Sequence, residues 1–167
     1  MKKLLPLLII FVILGISAVI FISIAKENQP VTIVKGNSEK KPLEFKLNFT
    51  NDSHCKMLIK DKKNALQVVN PDGETWFFDD PLCMVEWLEN RAFKKEATIW
   101  VYTVDTEKWI DAKKAWYGVT DTTAMHSGFG AREHPIKNSI DFSEMSLRGL
   151  RGETLANPKI RKKLLGE

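Results

Sequence analysis

The stretch TWFFDDPLCMVEWLENRA, residues 75–92, decides the fold. It starts with four residues rich in aromatic side chains, which is typical of a β-strand. Asp80 then fits a helix cap, and Pro81 fits the first helical position because an N–H has no helical partner there. Apolar side chains follow at helical spacing, so we expect a helix with one face packed inward. These side chains are Leu82, Val85, Leu88 and Ala92.

Further strand patterns lie on both sides of this stretch. They cover residues 57–59, 65–69, 97–104 and 112–119. A tight turn is predicted at Asn70-Pro71-Asp72-Gly73, since proline presets φ and glycine accepts the left-handed conformation. Two short helices are predicted near the end, over residues 143–150 and 158–165. Strands, one helix and more strands in this order predict a small α+β domain.

An apolar run of 22 residues, Leu4 to Ala25, comes before this domain. As a helix it reaches roughly 33 Å, which is enough to cross the hydrocarbon core of a bilayer. Lys2 and Lys3 precede it, and positive charge before a span keeps the N-terminus in the cytoplasm. We therefore expect a single-pass protein of the bacterial inner membrane with its domain in the periplasm.

A cleaved signal peptide is the alternative for this segment. Ser23-Ile24-Ala25 satisfies a small-x-small cleavage pattern. The apolar part of a signal peptide is usually about 7–15 residues long, so the longer run favours an uncleaved anchor. Both interpretations export the domain.

The composition predicts four segments. Residues 1–25 form the anchor, and a polar linker with Pro30 and Pro42 covers residues 26–42. The α+β domain covers residues 43–136, and a polar, partly helical tail covers residues 137–167. The net charge is +4 and spread along the chain. No basic patch with interleaved aromatic residues occurs, so we expect no nucleic acid as a partner.

Two cysteines, Cys55 and Cys83, are the first candidates for chemistry. In an exported protein such a pair suggests a disulfide, and it also suits a thiol-redox protein that cycles between dithiol and disulfide. Cys83 falls in the first turn of the predicted helix, where the positive end of the helix dipole favours a thiolate. The spacing alone leaves these interpretations open.

Cys55 and Met57 form a Cys-x-Met pattern at the start of a predicted strand. On an extended strand both side chains point to one face, so a thiolate and a thioether lie side by side. Soft sulfur ligands of this kind select Cu(I). Met125 and His126, in a glycine-bearing loop, are a second pair of candidate ligands. The structural alternative has Met57 in the core, Cys55 in a disulfide and Met125 filling a gap in the packing.

No catalytic arrangement stands out. The sequence has no Ser/His/Asp order, no glycine-rich phosphate loop after a strand and no His-Glu-x-x-His motif. Asp79 and Asp80 are better explained as a helix cap than as an acid–base pair. We therefore expect a protein that is not an enzyme. A non-metal adaptor in a membrane complex, using exposed aromatic residues and the basic tail, is a further hypothesis.

Several motifs occur in one order along residues 53–132. They are Cys55-Lys56-Met57, then Phe78-Asp79-Asp80-Pro81-Leu82-Cys83-Met84, then Trp109-Ile110-Asp111-Ala112, then Met125. This succession resembles the NosL family, the accessory proteins of nitrous-oxide reductase maturation. Members of that family are often lipoproteins, whereas this chain has an apolar segment instead.

The resemblance implies a fold of two small ββαβ-like units and a function as a copper metallochaperone in denitrification. It implies a membrane-tethered Cu(I)-binding protein that passes copper to a copper-dependent client enzyme or to its assembly machinery. Cys55 and Met57 match the family's Cys-x-Met, and Met125 matches its later methionine. His126 is added because it lies next to Met125. The resemblance leaves the role of Cys83 open.

Overall fold

The structure is a computed structural model that describes the backbone of residues 4–27 and 31–166. Side chains are described for residues 10–23 and 31–166. The chain divides into two units, residues 1–30 and 31–167. The second unit therefore includes residues 31–42 of the predicted linker and residues 137–166 of the predicted tail.

The first unit contains one helix, α1, over Leu4–Glu27. Among the residues that the structure describes, no helix is both long and apolar enough to cross a membrane. The membrane-spanning anchor thus stays a prediction of the sequence. Lys2 and Lys3, on which its orientation depends, lie outside the described residues.

The second unit is a mixed α+β structure around a five-stranded antiparallel sheet, with strand order β1-β3-β2-β4-β5. The fold class α+β is therefore confirmed. The five strands are β1 (Ile33–Val34), β2 (Leu66–Val69), β3 (Thr75–Phe78), β4 (Thr98–Tyr102) and β5 (Trp109–Asp111). A separate two-stranded sheet pairs β6 (Trp116–Tyr117) with β7 (Ala131–Arg132). The helices are α2 (Pro81–Glu89), α3 (Phe142–Leu150) and α4 (Pro158–Leu165), with a 3-10 turn at Ala112–Lys114.

One part of the second unit has the expected ββαβ order. Strands β2 and β3, helix α2 and strand β4 follow one another along the chain, and all three strands pair in the central sheet. The elements described after β4 are β5, the 3-10 turn, β6, β7, α3 and α4. They do not repeat that order, so the second ββαβ-like unit is not shown.

The β2–β3 hairpin turns where the sequence predicts it. Its ladder runs from Leu66 opposite Phe78 to Val69 opposite Thr75. Gly73 has a φ of +77°, and a Cβ there would lie 2.8 Å from the backbone of Asn37. Glycine is thus required twice, for the left-handed conformation and for the close approach of a second chain segment.

Helix α2 begins as the sequence predicts. Asp80 is its N-cap, with an extended backbone and a side chain that accepts a hydrogen bond from the N–H of Leu82. Pro81 is the first helical residue, and the helix ends at Glu89, three residues before the predicted end. The assignment of Asp80 as a cap is confirmed.

Two strand predictions need correction. Residues 57–59 form no strand; Leu58 makes only an isolated bridge with Asn51. Within residues 112–119, the side chain of Asp111 accepts a hydrogen bond from the N–H of Lys113, which favours a 3-10 turn over continued strand. The strand there is reduced to the two residues of β6.

The main core lies between one face of the sheet and the helices α2 and α3. Strand residues alternate, so Trp76 and Phe78 face this core, whereas Phe77 packs with Ile59 and Ala65 on the other face. Helix α3 contributes Met145, which is fully buried in the main core. The C-terminal segment thus takes part in the packing of the domain.

Replacing Met145 with alanine tests this packing. Removing a fully buried methionine side chain costs a transfer term and a cavity term, so we expect a loss of about 2–5 kcal/mol in the free energy of unfolding. Leu147→Ala is the matched control, because Leu147 lies two residues away on the same helix and is 42% exposed. The control should change stability by about 0.5 kcal/mol or less. Urea unfolding followed by tryptophan fluorescence measures both variants, and equal losses would contradict the placement of α3.

Candidate metal centre

Four side chains from three parts of the domain meet beside the main core. They are Asp52, Cys55, Asp79 and Cys83. One ligand atom from each lies within 4.8 Å of every other, and neither cysteine is in a disulfide. This group can hold a metal ion, because carboxylate oxygens and thiolate sulfurs are common metal ligands at such separations.

Asp52 joins the turn at residues 52–57 to the end of β3. Its buried carboxylate accepts hydrogen bonds from the N–H groups of His54 at 2.6 Å and Cys55 at 2.8 Å through Oδ1. Oδ2 accepts a third, from the N–H of Asp79 at 2.9 Å. The turn closes when the N–H of Asp52 donates to the carbonyl of Met57. One carboxylate therefore positions Cys55 against Asp79.

Asp79 comes directly after β3 and is 7% exposed. Its Oδ1 is buried and has no hydrogen-bond partner. Burial, together with the neighbouring charge of Asp52, raises the pKa of Asp79 to about 7. An unpaired buried oxygen costs about 1–3 kcal/mol, and either a proton shared with the carboxylate of Asp52 or a bound cation would satisfy it.

Cys83 is almost fully buried in the first turn of α2, and Cys55 is half-buried in the turn. Burial raises the pKa of both thiols, and the carboxylates of Asp52 and Asp79 add to the effect. The expectation of a thiolate at Cys83 is therefore wrong, since burial outweighs the helix dipole. The sulfurs of Cys83 and Cys55 lie within 4.8 Å of each other.

Met57 lies near this cluster, but not for the predicted reason. Cys55 is in a turn, and Lys56 has a φ of +66°, so strand alternation does not set the direction of either sulfur. Met57 is 44% exposed and lines a cleft of about 710 Å³ together with Asp79 and Thr123. Its role as a ligand stays a prediction.

Met125 and His126 directly follow residues 122–124, which also line that cleft. The N–H of Met125 donates to Oδ2 of Asp80 at 2.9 Å, so the cap of α2 also holds this loop. Met125 is half-buried and packs against the main core, as Cys55 does. His126 is exposed with a φ of +54°. Both stay predicted ligands.

A contact between two side chains connects the two cysteine-bearing segments on the outside. Nε2 of His54 lies 3.1 Å from Oε2 of Glu86, which is three residues after Cys83 on α2. Both side chains are about 40% exposed, with values of 39% and 44%. The contact contributes little stability at such exposure.

Sequence reasoning missed Asp52, Asp79 and Cys83 as members of one site. Asp52 precedes Cys55 by three residues, a spacing at which an aspartate can close a turn, and that signal was available. Nothing in the sequence says that this turn lies against the end of β3. The cluster depends on that tertiary contact.

No protein-family model matches the chain, and no curated protein matches it. The resemblance to the NosL family therefore stays an expectation from the sequence. Function has to be argued from the site itself.

Asp79 provides a test of the buried cluster through pH. Because the folded chain holds this proton more tightly than the unfolded chain, the wild-type free energy of unfolding should fall as pH rises from about 4 to about 7. Asp79→Asn removes the titration, so the variant should gain stability relative to wild type across that range. At pH 8 the free energy of unfolding of the variant should exceed that of wild type by on the order of a few kcal/mol. Urea unfolding of the reduced, chelator-treated protein measures this difference.

Asp105→Asn is the control for this experiment. Burial is the largest single influence on the pKa of Asp105 and raises it, but backbone N–H hydrogen bonds together lower it overall, among them those from Glu133 and His134, both 3.0 Å long. This variant should therefore lose stability at pH 8 and recover relative to wild type as the pH falls below about 4. The same pH dependence in both variants would contradict the assignment.

Proposed function

We propose that this chain is a membrane-tethered, periplasmic Cu(I)-binding protein that delivers copper to a cuproenzyme during its maturation. One observation carries the proposal: two thiols that are 28 residues apart in the sequence meet beside a buried carboxylate oxygen without a partner. No reaction is assigned to the site, and copper is its cargo. The protein acts as a carrier and not as an enzyme.

The donor set favours a soft monovalent ion. Asp52 already accepts three backbone N–H bonds, so its carboxylate is largely committed to holding the turn. Two sulfurs and the free oxygen of Asp79 remain. Cu(I) is satisfied by two or three soft ligands, whereas structural zinc sites take four committed ligands in a tetrahedron. The same four residues would suit Zn²⁺ only if Asp52 gave up part of its structural role.

The exposure of the two sulfurs fits a site that exchanges its ion. Cys83 is 1% exposed and Cys55 is half-buried, so one side of the ion would stay accessible. The cleft lined by Met57 and Asp79 lies beside it, with room for a ligand-bearing segment of a partner. An acceptor can then bind the ion before the donor releases it, which avoids free Cu(I) in solution.

The additional ligands of the proposed site are taken from the resemblance to the NosL family. Met57 and Met125 add thioether ligands to the thiolate of Cys55, and His126 lies next in the same loop. The bond from Met125 to Asp80 supports this set, because it holds the loop at the helix end that carries Cys83. Nitrous-oxide reductase is the client that the resemblance names.

The apolar N-terminal segment acts as the tether in this proposal. Residues 4–25 hold the protein in the bacterial inner membrane, and the domain works in the periplasm. A tethered carrier stays close to a copper exporter and to an enzyme assembled at the same membrane. The client or its assembly machinery is the partner that the proposal requires.

Competition titration tests the metal. The reduced full chain in mild detergent is titrated with Cu(I) against a chromogenic Cu(I) chelator. We expect a 1:1 complex, with affinity lowered at least about 100-fold by Cys55→Ser and by Cys83→Ser, since each removes a charged soft ligand. Met57→Leu and Met125→Leu should each lower it by about tenfold.

Leu58→Ala is the matched control, because Leu58 is 39% exposed and lines the same cleft as Met57. It should leave the Cu(I) affinity unchanged. Unchanged affinity in both cysteine variants would refute the site, and tighter binding of Zn²⁺ than of Cu(I) in the same assay would refute the choice of metal.

A further inference from the structure

The two thiols lie close together but differ in their exposure to solvent. Their sulfurs lie at most 4.8 Å apart. A disulfide needs about 2.05 Å between sulfurs, so the two atoms have to approach by less than about 3 Å. Cys55 is half-buried and Cys83 is 1% exposed.

The segments that carry the two sulfurs differ in how firmly they are held. Cys83 sits in the capped first turn of α2. Cys55 lies in a turn outside any strand, followed by Lys56 in the left-handed conformation. The turn is held by the bonds to Asp52, which involve backbone N–H groups and not the sulfur of Cys55. The approach is therefore made by Cys55.

We propose that Cys55 and Cys83 form a reversible disulfide that closes the metal site, so that copper loading requires a dithiol reductant as a partner. The attacking sulfur is Cys55, because an incoming disulfide reaches it first. The resolving sulfur is Cys83, which reaches only Cys55. The effect on copper rests on the proposed function, whereas disulfide formation does not.

The chemistry balances with a small disulfide, RS–SR, as the oxidant. Cys55 loses its proton and attacks one sulfur of RS–SR, which forms a mixed disulfide and releases RS⁻. Cys83 then loses its proton and attacks the sulfur of Cys55, which releases the second RS⁻. The two cysteines give up two electrons and two protons, and RS–SR is reduced to two RSH. A reduced dithiol partner reverses both steps.

Disulfide formation removes the metal site by removing its ligands. A disulfide sulfur carries no charge and is a poor ligand compared with a thiolate, so both soft donors are lost together. The carboxylates of Asp52 and Asp79 remain, but hard oxygen ligands alone do not select Cu(I). We therefore expect that the oxidised protein cannot bind copper. The periplasm favours disulfides, so the site needs a reductant there before it can be loaded.

The test treats the metal-free full chain in mild detergent with oxidised glutathione and analyses it by intact mass and thiol titration. Wild type should lose two hydrogens and both free thiols, with no adduct retained. Cys83→Ser should trap one glutathionyl group on Cys55. Cys55→Ser should react at least about tenfold more slowly, because its remaining thiol is buried. Circular dichroism spectra should match those of wild type.

If a serine variant fails to fold, alkylation of wild type with iodoacetamide gives the same information. Peptide mapping should find Cys55 labelled before Cys83. A faster reaction at Cys83, or two unchanged free thiols after treatment with oxidised glutathione, would overturn the inference. Neither result bears on copper binding by the reduced protein.

Cu(I) titration of the oxidised and reduced forms completes the test. Oxidised wild type should bind Cu(I) at least about 100-fold more weakly, and dithiothreitol followed by its removal should restore binding. A disulfide that leaves the Cu(I) affinity unchanged would overturn the proposal that it closes the metal site. If the reduced form binds no Cu(I) while the disulfide still forms, the proposed function fails and only the thiol chemistry stands.

Discussion

The buried carboxylate of Asp52 is the interaction on which the candidate site depends. It accepts N–H bonds from His54 and Cys55 in one turn and from Asp79 at the end of β3. Charge-assisted bonds of this kind are roughly twice as strong as neutral ones, and here three of them share one group. They bring a turn that belongs to no strand of the sheet against the strand–helix junction. Ser53 of the same turn adds a bond from its N–H to the carbonyl of Phe77 on β3, so these contacts together hold Cys55 near Cys83.

This arrangement concentrates groups that resist ionisation beside one another. Asp79 has an oxygen without a partner, and burial raises the pKa of that carboxyl to about 7. Burial raises the pKa of both thiols for the same reason, with the carboxylates adding repulsion. A domain selected only for stability would replace such a cluster with apolar side chains, because unpaired buried polar groups cost free energy. Such a conflict between packing and polarity is expected at a functional site.

Local signals in the sequence were enough for the segment from β2 to the start of α2, but not for the rest of the domain. Asp80 and Pro81 define the start of α2, the aromatic run defines β3, and Gly73 closes the hairpin, because each depends on its near neighbours alone. The sequence predicted only part of the candidate site. Cys55 was identified by its pattern with Met57, but the argument assumed a strand, and Lys56 interrupts one with a φ of +66°. Cys83, Asp52 and Asp79 join it through tertiary contacts between distant segments, which periodicity and propensity do not encode.

A cation would resolve the conflict that the cluster contains. Each ligand that binds has to release its proton first, so the raised pKa values weaken binding at neutral pH and make it depend on proton release. The bound cation then balances the negative charge that the buried sulfurs and the Asp79 carboxyl carry after they lose their protons. Metal binding stabilises the folded state as a result. Under the proposed function, this opposition between proton binding and metal binding suits a carrier better than a permanent structural site. A structural metal needs ligands that are ready to ionise, whereas a carrier needs an ion that its partner can remove.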